Sequence, residues 1–189
     1  MSDGRPTQDT SVPEARAHES ESPEGRARAL CLRLLATAPR TRAQLERALR
    51  RHGTDESVID TVLERFDAAG VVDDAAFADA WVESRHTGRG LGRAALTAEL
   101  RERGVDEETI QQAVEDLDPD QEEATARELV RRKLRSTRGK AVSVRLRRTM
   151  GMLERKGYPA GLSYRLAREE LEAEGADVDL PEPDTTAFE

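Results

Sequence analysis

Three times along this chain a Leu is followed, at the third residue, by a basic side chain and then by Gly. Residues 49–53 read Leu-Arg-Arg-His-Gly, residues 100–104 Leu-Arg-Glu-Arg-Gly, and residues 153–157 Leu-Glu-Arg-Lys-Gly. The leucines lie 51 and 53 residues apart. A buried-face Leu one turn before a Gly stop is how an amphipathic helix ends. Recurrence of that ending at a near-constant period marks an array of helical units, each too small to bury its apolar face alone. The fold class expected is all-α: three tandem three-helix repeats forming an elongated curved solenoid, each repeat stacking its remaining apolar edge on the next.

Composition agrees with a thin core under much charged surface. Of 189 residues, 36% are charged and only 3% aromatic, which suits a solenoid better than a globule around a deep pocket. No apolar run approaches the roughly 20 residues of a membrane span. The first residues lack the apolar stretch of a signal peptide. A single Cys31 excludes a disulfide within the chain and suits a reducing cytoplasm, the expected compartment. Lying beside Leu30 and Leu34 on an apolar helix face, it reads as a buried thiol and not a nucleophile.

The net charge of −8 is unevenly placed. Residues 1–25 hold six acids and two Arg, and residues 168–189 hold nine acids and Arg168, so residues 26–167 carry +4. Within these, Arg127–Arg148 contains ten basic residues against Glu128 alone. A field of that density attracts an anionic partner even on an acidic protein, although a charge run is more often only a solvated face.

Punctuation divides the chain further. Residues 1–21, rich in Ser, Pro and Glu, read as a disordered acidic extension, and residues 176–189 as a disordered acidic tail. The repeats between span 22–72, 73–117 and 118–175, with three helices in each. Ser22-Pro23-Glu24 and Asp118-Pro119 join an N-cap to a first-turn Pro. Thr41 with Gln44 makes a capping box. Asp55, Asp73 or Asp74, and Asp106 are further caps. Gly53, Gly70, Gly104 and Gly157 are left-handed stops. The segment around Ser136–Lys140 makes the third repeat the least regular.

Motifs for chemistry are weak. Residues 88–92, Gly-Arg-Gly-Leu-Gly, follow no strand, and Arg93 takes the place of the third Gly of a dinucleotide loop. They read as a turn, whose Arg89 and Arg93 can meet phosphate or carboxylate groups at a helix N-terminus. His18, His52 and His86 keep no metal-ligand spacing with Cys or acids. His52 and His86 read as surface residues in last helical turns, and Trp81 as an anchor of the middle repeat. No cofactor or metal is expected, and no enzyme activity.

From Val71 to Val105 the residues become recognisable. Asp73-Asp74, Phe77-Ala78, Trp81-Val82 and Arg85 are followed by Gly90, Gly92-Arg93, Leu96, Leu100 and Gly104-Val105. This pattern resembles the RecX family of bacterial recombination regulators, and the three-repeat plan extends the resemblance to about residues 24–172. The resemblance implies tandem three-helix repeats and a partner, the RecA recombinase filament on single-stranded DNA, bound in its groove. It also implies inhibition of the ATPase, strand-exchange and co-protease activities of that filament, by a protein that is not itself an enzyme. The candidate contacts to filament or DNA phosphate are Arg85, Arg89 and Arg93 on the matching stretch. On charge alone, Arg131, Arg132, Lys133, Arg135, Arg138, Lys140, Arg145, Arg147 and Arg148 join them. With so few aromatics, intrinsic DNA binding should be weak, sequence-independent and salt-sensitive, and the acidic termini should compete for the basic segment. A monomer with no membrane contact is expected. The alternative reading is a helix-turn-helix DNA-binding transcriptional regulator, with Val58–Phe66 as recognition helix. Against it, Asp60, Glu64 and Asp67 put acids where cations are needed.

Overall fold

The computed structural model describes residues 22–178. The acidic extension 1–21 and the tail from residue 179, both read above as disordered, lie outside the described residues. Among those described there are nine α-helices and no strand: α1 (Pro23–Thr37), α2 (Arg42–Arg51), α3 (Glu56–Ala68), α4 (Asp74–Arg89), α5 (Arg93–Arg103), α6 (Glu107–Glu115), α7 (Pro119–Ser136), α8 (Val142–Arg155) and α9 (Ala160–Ala173). Each apolar cluster is built by three successive helices, so the fold is an all-α tandem repeat.

Local chemistry sets the helix ends. The Ser22 hydroxyl accepts from Gly25 N at 2.9 Å, and Pro23 supplies a first-turn residue whose missing N–H costs nothing there. Thr41 and Gln44 close a reciprocal capping box. Asp106 accepts from Thr109 N, and Asp118 from Asp120 N, both at 2.9 Å. Asp55 stands at the N-cap of α3 without a side-chain cap bond. The Asp74 carboxylate accepts the first amide of α2, Arg42 N, at 2.8 Å.

The described residues divide into two compact units at Asp74/Ala75. In the first, α1, α2 and α3 bury Cys31, Leu45, Leu49, Ile59 and Leu63. Burial pushes the Cys31 thiol up to about 11, so it is a core group and a poor nucleophile at neutral pH.

The second unit holds two clusters, around Leu96, Leu100 and Ile110 and around Leu134, Leu153, Leu166 and Leu171. Val178 is buried with the latter, so ordered packing runs past Ala176, where the tail was expected to begin.

The repeats of this second unit meet through polar and backbone contacts beside the packing of Leu129 against Gly90 and of Tyr158 against Gly92. The first amides of α5 lack intrahelical acceptors. Gly92 N donates to Lys156 O at 2.7 Å, Ala94 N to Gly157 O at 3.4 Å, and Arg93 N to the Glu122 carboxylate at 3.0 Å. The Tyr158 hydroxyl donates to Gly90 O at 3.2 Å. A Cβ on Gly157 would lie 2.2 Å from Ala95 N, and one on Gly92 2.9 Å from Gly157 O. The glycines that resemble a nucleotide loop are therefore one half of an interlock, with the third Leu-x-x-basic-Gly turn as the other half.

Candidate functional site

The charge run Arg127–Arg148 is split by the fold. Arg127 and Arg131 turn toward α9. Arg127 lies 2.9 Å from Glu169 and 3.2 Å from Glu170, and Arg131 Nε lies 2.9 Å from Glu170. Glu123 joins them, 2.6 Å from Arg165 and 3.0 Å from Arg127. Hydrogen bonds from Arg165 and then Arg127 hold its carboxyl down at about 2. These cations are spent on internal acids.

Two further candidates are internal props. Arg145 is buried, and its Nη2 donates to Leu134 O at 3.2 Å and to Glu174 at 2.5 Å. It ties the C-terminal end of α7 to the turn after α9. Arg93 is half-buried. Its Nε meets Glu122 at 2.8 Å, Nη1 donates to Val114 O at 2.8 Å, and Nη2 donates to Leu117 O. The anion expected at the start of α5 is this chain's own Glu122.

Arg85 and Arg89 gather on Glu99, at 3.6 and 3.1 Å. Trp81 is half-buried. Its indole N–H donates to Glu99 at 2.9 Å, and its ring stacks on Phe77 with centroids 5.6 Å apart. The guanidinium carbons of Arg85 and Arg103 lie 4.0 and 3.6 Å from the ring centre. A ring so covered is a packing anchor, not an open platform for bases.

His86, expected at the surface, is instead 1% exposed. Its Nδ1 lies 2.9 Å from Leu91 O, and its Nε2 lies 2.9 Å from the Thr125 hydroxyl. A carbonyl only accepts, so in the neutral ring Nδ1 carries the proton and Nε2 accepts from Thr125. Position in the last turn of α4 is what suggested exposure; α7 packing over that turn removes it. His52 is exposed, as expected.

The cations left for a partner are Arg132, Lys133, Arg135, Arg138, Lys140, Arg147 and Arg148, on α7, α8 and the turn between them. None makes an ion pair among the described residues, and all but the half-buried Lys133 are exposed. Of these, Arg132 and Arg135 border, with Arg89, a polar cleft of about 460 Å³ between the end of α4 and α7. Sequence reasoning missed one member. Lys156 donates from Nζ to Arg89 O at 2.5 Å, and burial, then Arg132 and Arg89, hold its ammonium below the usual lysine range. Its signal was the third copy of the repeat signature, where Lys156 is the basic residue.

The first unit offers a different surface. Leu32 and Val71, 45% and 46% exposed, line a groove of about 340 Å³ with Val62 and Phe66. On α3, Asp60, Glu64 and Asp67 are exposed, so the helix proposed for base reading presents carboxylates outward. Among the described residues no group of three His, Cys, Asp or Glu is placed to hold a metal ion. None of the described helices is long and apolar enough to cross a membrane.

Comparison with known proteins agrees with this architecture repeat by repeat. Residues 27–66 match the family described as RecX, first three-helix domain; residues 73–114 match RecX, second three-helix domain; and residues 120–166 match RecX, third three-helix domain. The chain belongs to the RecX family. A regulatory protein RecX of Thermobifida fusca is 65% identical over 87% of this chain and 91% of its own length. That of Streptomyces coelicolor is 53% identical over 87% and 89%. A crystal structure of RecX from Lactobacillus salivarius superimposes with a TM-score of 0.73 at 16% identity, covering 80% of this chain and 97% of that one. Another crystal structure of regulatory protein RecX gives 0.70 at 20% identity, covering 89% and 81%. Like its relatives, this RecX-family chain is a regulatory protein.

Proposed function

We propose that this chain is a negative modulator of a RecA-type recombinase. It binds the filament assembled on single-stranded DNA, lies in the helical groove, and lowers ATPase, strand-exchange and co-protease activity. It acts in the cytoplasm as a monomer, without catalysing a reaction itself. The observation that carries this reading is the family's three-domain plan running from residue 27 to 166, joined to a surface of unpaired cations on its third repeat. Several modest contacts along one chain can add to useful avidity on a polymer whose subunits repeat. The cations supply attraction to acidic filament surface or DNA phosphate.

The direct test is the DNA-dependent ATPase of the cognate recombinase, titrated with the full chain at physiological salt. Inhibition at concentrations well below that of the recombinase supports the reading; unchanged ATPase and strand exchange at saturation reject it. The charge-reversal variant that probes the surface is Arg132, Arg135 and Arg148 to Glu. Arg131 and Arg145 are unsuitable, because reversing them breaks internal ion pairs.

A further inference from the structure

The cations around the cleft between α4 and α7 do not all point to separate partners. Arg89 closes α4 in the second repeat; Arg132 and Arg135 rise from α7 in the third, and all three border the cleft. Lys156 stands beside them, its Nζ fixed on the Arg89 carbonyl 2.5 Å away. Glu128 also borders the cleft but is drawn to Arg131 at 3.2 Å, and Arg89 has Glu99 at 3.1 Å. Arg132, Arg135 and Lys156 have no carboxylate partner among the described residues.

We propose that Arg89, Arg132, Arg135 and Lys156 form a single seat for one backbone phosphate of a nucleic-acid strand, set astride the junction of the second and third repeats. This rests on the reading of the basic surface given above and narrows it from any polyanion to phosphodiester. Three observations carry it. The donors come from two repeats and so reach the cleft from different sides. That suits a tetrahedral group with oxygens facing several ways better than a planar carboxylate, which one guanidinium grips edge-on. No aromatic side chain borders the cleft, so nothing there stacks a base and the contact is indifferent to sequence. Burial lowers the Lys156 ammonium most, and Arg132 and then Arg89 lower it further; an anion bound between these groups relieves the repulsive part. Lys156 also complements the C-terminal carbonyls of α4, which accounts for its place but not for the two unpaired guanidinium groups beside it.

The test is fluorescence anisotropy of 5′-fluorescein-labelled dT15 with the full chain at low salt. R132Q and K156Q each weaken binding about tenfold, as expected for a charge-assisted hydrogen bond to phosphate. Because both serve one ligand, the double variant loses clearly less than the product of the two. A dT15 with a neutral methylphosphonate backbone does not bind. Full additivity means separate phosphates and overturns the seat. Poly-glutamate displacing dT15 as well as unlabelled dT15 does, at equal charge, overturns it in favour of a protein carboxylate. Inorganic phosphate competing equally well per charge overturns the nucleic-acid assignment in favour of a free ion. Far-UV circular dichroism checks the fold of each variant. If K156Q loses helicity, the exposed pair R132Q and R135Q runs the same cycle. Recombinase ATPase is measured in parallel: a chain that binds dT15 through the seat yet leaves the ATPase untouched keeps this inference and sinks the proposed inhibition of the recombinase. Inhibition by a chain whose binding to dT15 is additive does the reverse.

Discussion

In the first repeat Gly53 faces open space; in the third, the equivalent Gly157 faces the backbone of Ala95. Both end the same five-residue signature, and both hold positive φ, +72° and +86°. The first repeat is a compact unit of its own, closed by an apolar cluster and carrying an open groove with Leu32 and Val71 at its surface. The second and third share one unit, joined by turn-to-turn hydrogen bonds and by the Arg93–Glu122 and His86–Thr125 contacts. One local code for ending a helix thus serves two purposes. Where no neighbour approaches, Gly supplies only backbone freedom. Where one does, it also supplies the missing side chain that lets two backbones meet.

The sharpest way to break this comparison is to add one methyl group at each site. Gly157→Ala should cost the second unit about 3 kcal/mol or more, combining left-handed strain with overpacking against Ala95. Gly53→Ala should cost the first about 1–2 kcal/mol, from strain alone. The chain holds its own probes. Trp81 is the one tryptophan and lies in the second unit. Cys31, the one cysteine, is fully buried in the first. Urea titrations followed by Trp81 fluorescence and by Cys31 thiol reactivity should move separately, the first for Gly157→Ala and the second for Gly53→Ala. Equal losses at the two glycines, or coincident shifts at both probes, would remove the distinction between the units.

A smaller effect separates ion pairs in the same way. Glu122 has a side chain only 10% exposed, accepts from both the amide and the guanidinium of Arg93, and belongs to the interlock. Glu122→Ala should cost about 2–3 kcal/mol, less than a fully buried pair because Arg93 keeps some water. Asp67→Ala removes the partner of Arg42 in the first unit, a pair about two-fifths exposed, and should cost under about 1 kcal/mol. The same two probes read both; a loss at Asp67 matching that at Glu122 would mean that the interlock adds little.

Much of this fold is legible in the sequence, because helix ends are set by neighbours. Ser22-Pro23, Thr41 with Gln44, Asp106, Asp118-Pro119 and the glycine stops all act within about four residues. What is not legible depends on partners far along the chain. Arg127 and Arg131 look free until α9 brings Glu169 and Glu170 to them, about 40 residues on. His86 looks exposed until Thr125 packs over it, and Arg145 until Leu134 O and Glu174 enclose it. The ten-to-one charge run is real as composition, but the fold divides it into an internal ion network and a narrower surface. Lys156 was passed over because it lies outside the run, and only the interlock carries it to Arg89.

The internal network gives the smallest effect, and its sign follows from Glu123. Its folded carboxyl is held at about 2 by Arg165 and Arg127, well under the ordinary range near 4. The unfolded state therefore takes up a proton first as pH falls. Stability from this group is fully present above about pH 4.5 and is lost progressively as pH drops toward 2. Glu123 is over a third exposed, so solvent screens the pair and the loss is modest. Trp81-monitored urea midpoints should fall between pH 5 and 2.5, less steeply in 0.5 M salt, and Glu123→Gln should flatten that limb while changing the Cys31 transition little. An acid limb equally steep in Glu123→Gln would shift the weight to Glu170. Burial raises that carboxyl, but hydrogen bonds from Arg131 and Arg127 lower it more. The second unit's sensitivity to acid would then lie with its half-buried carboxylate, not with the one on the rim.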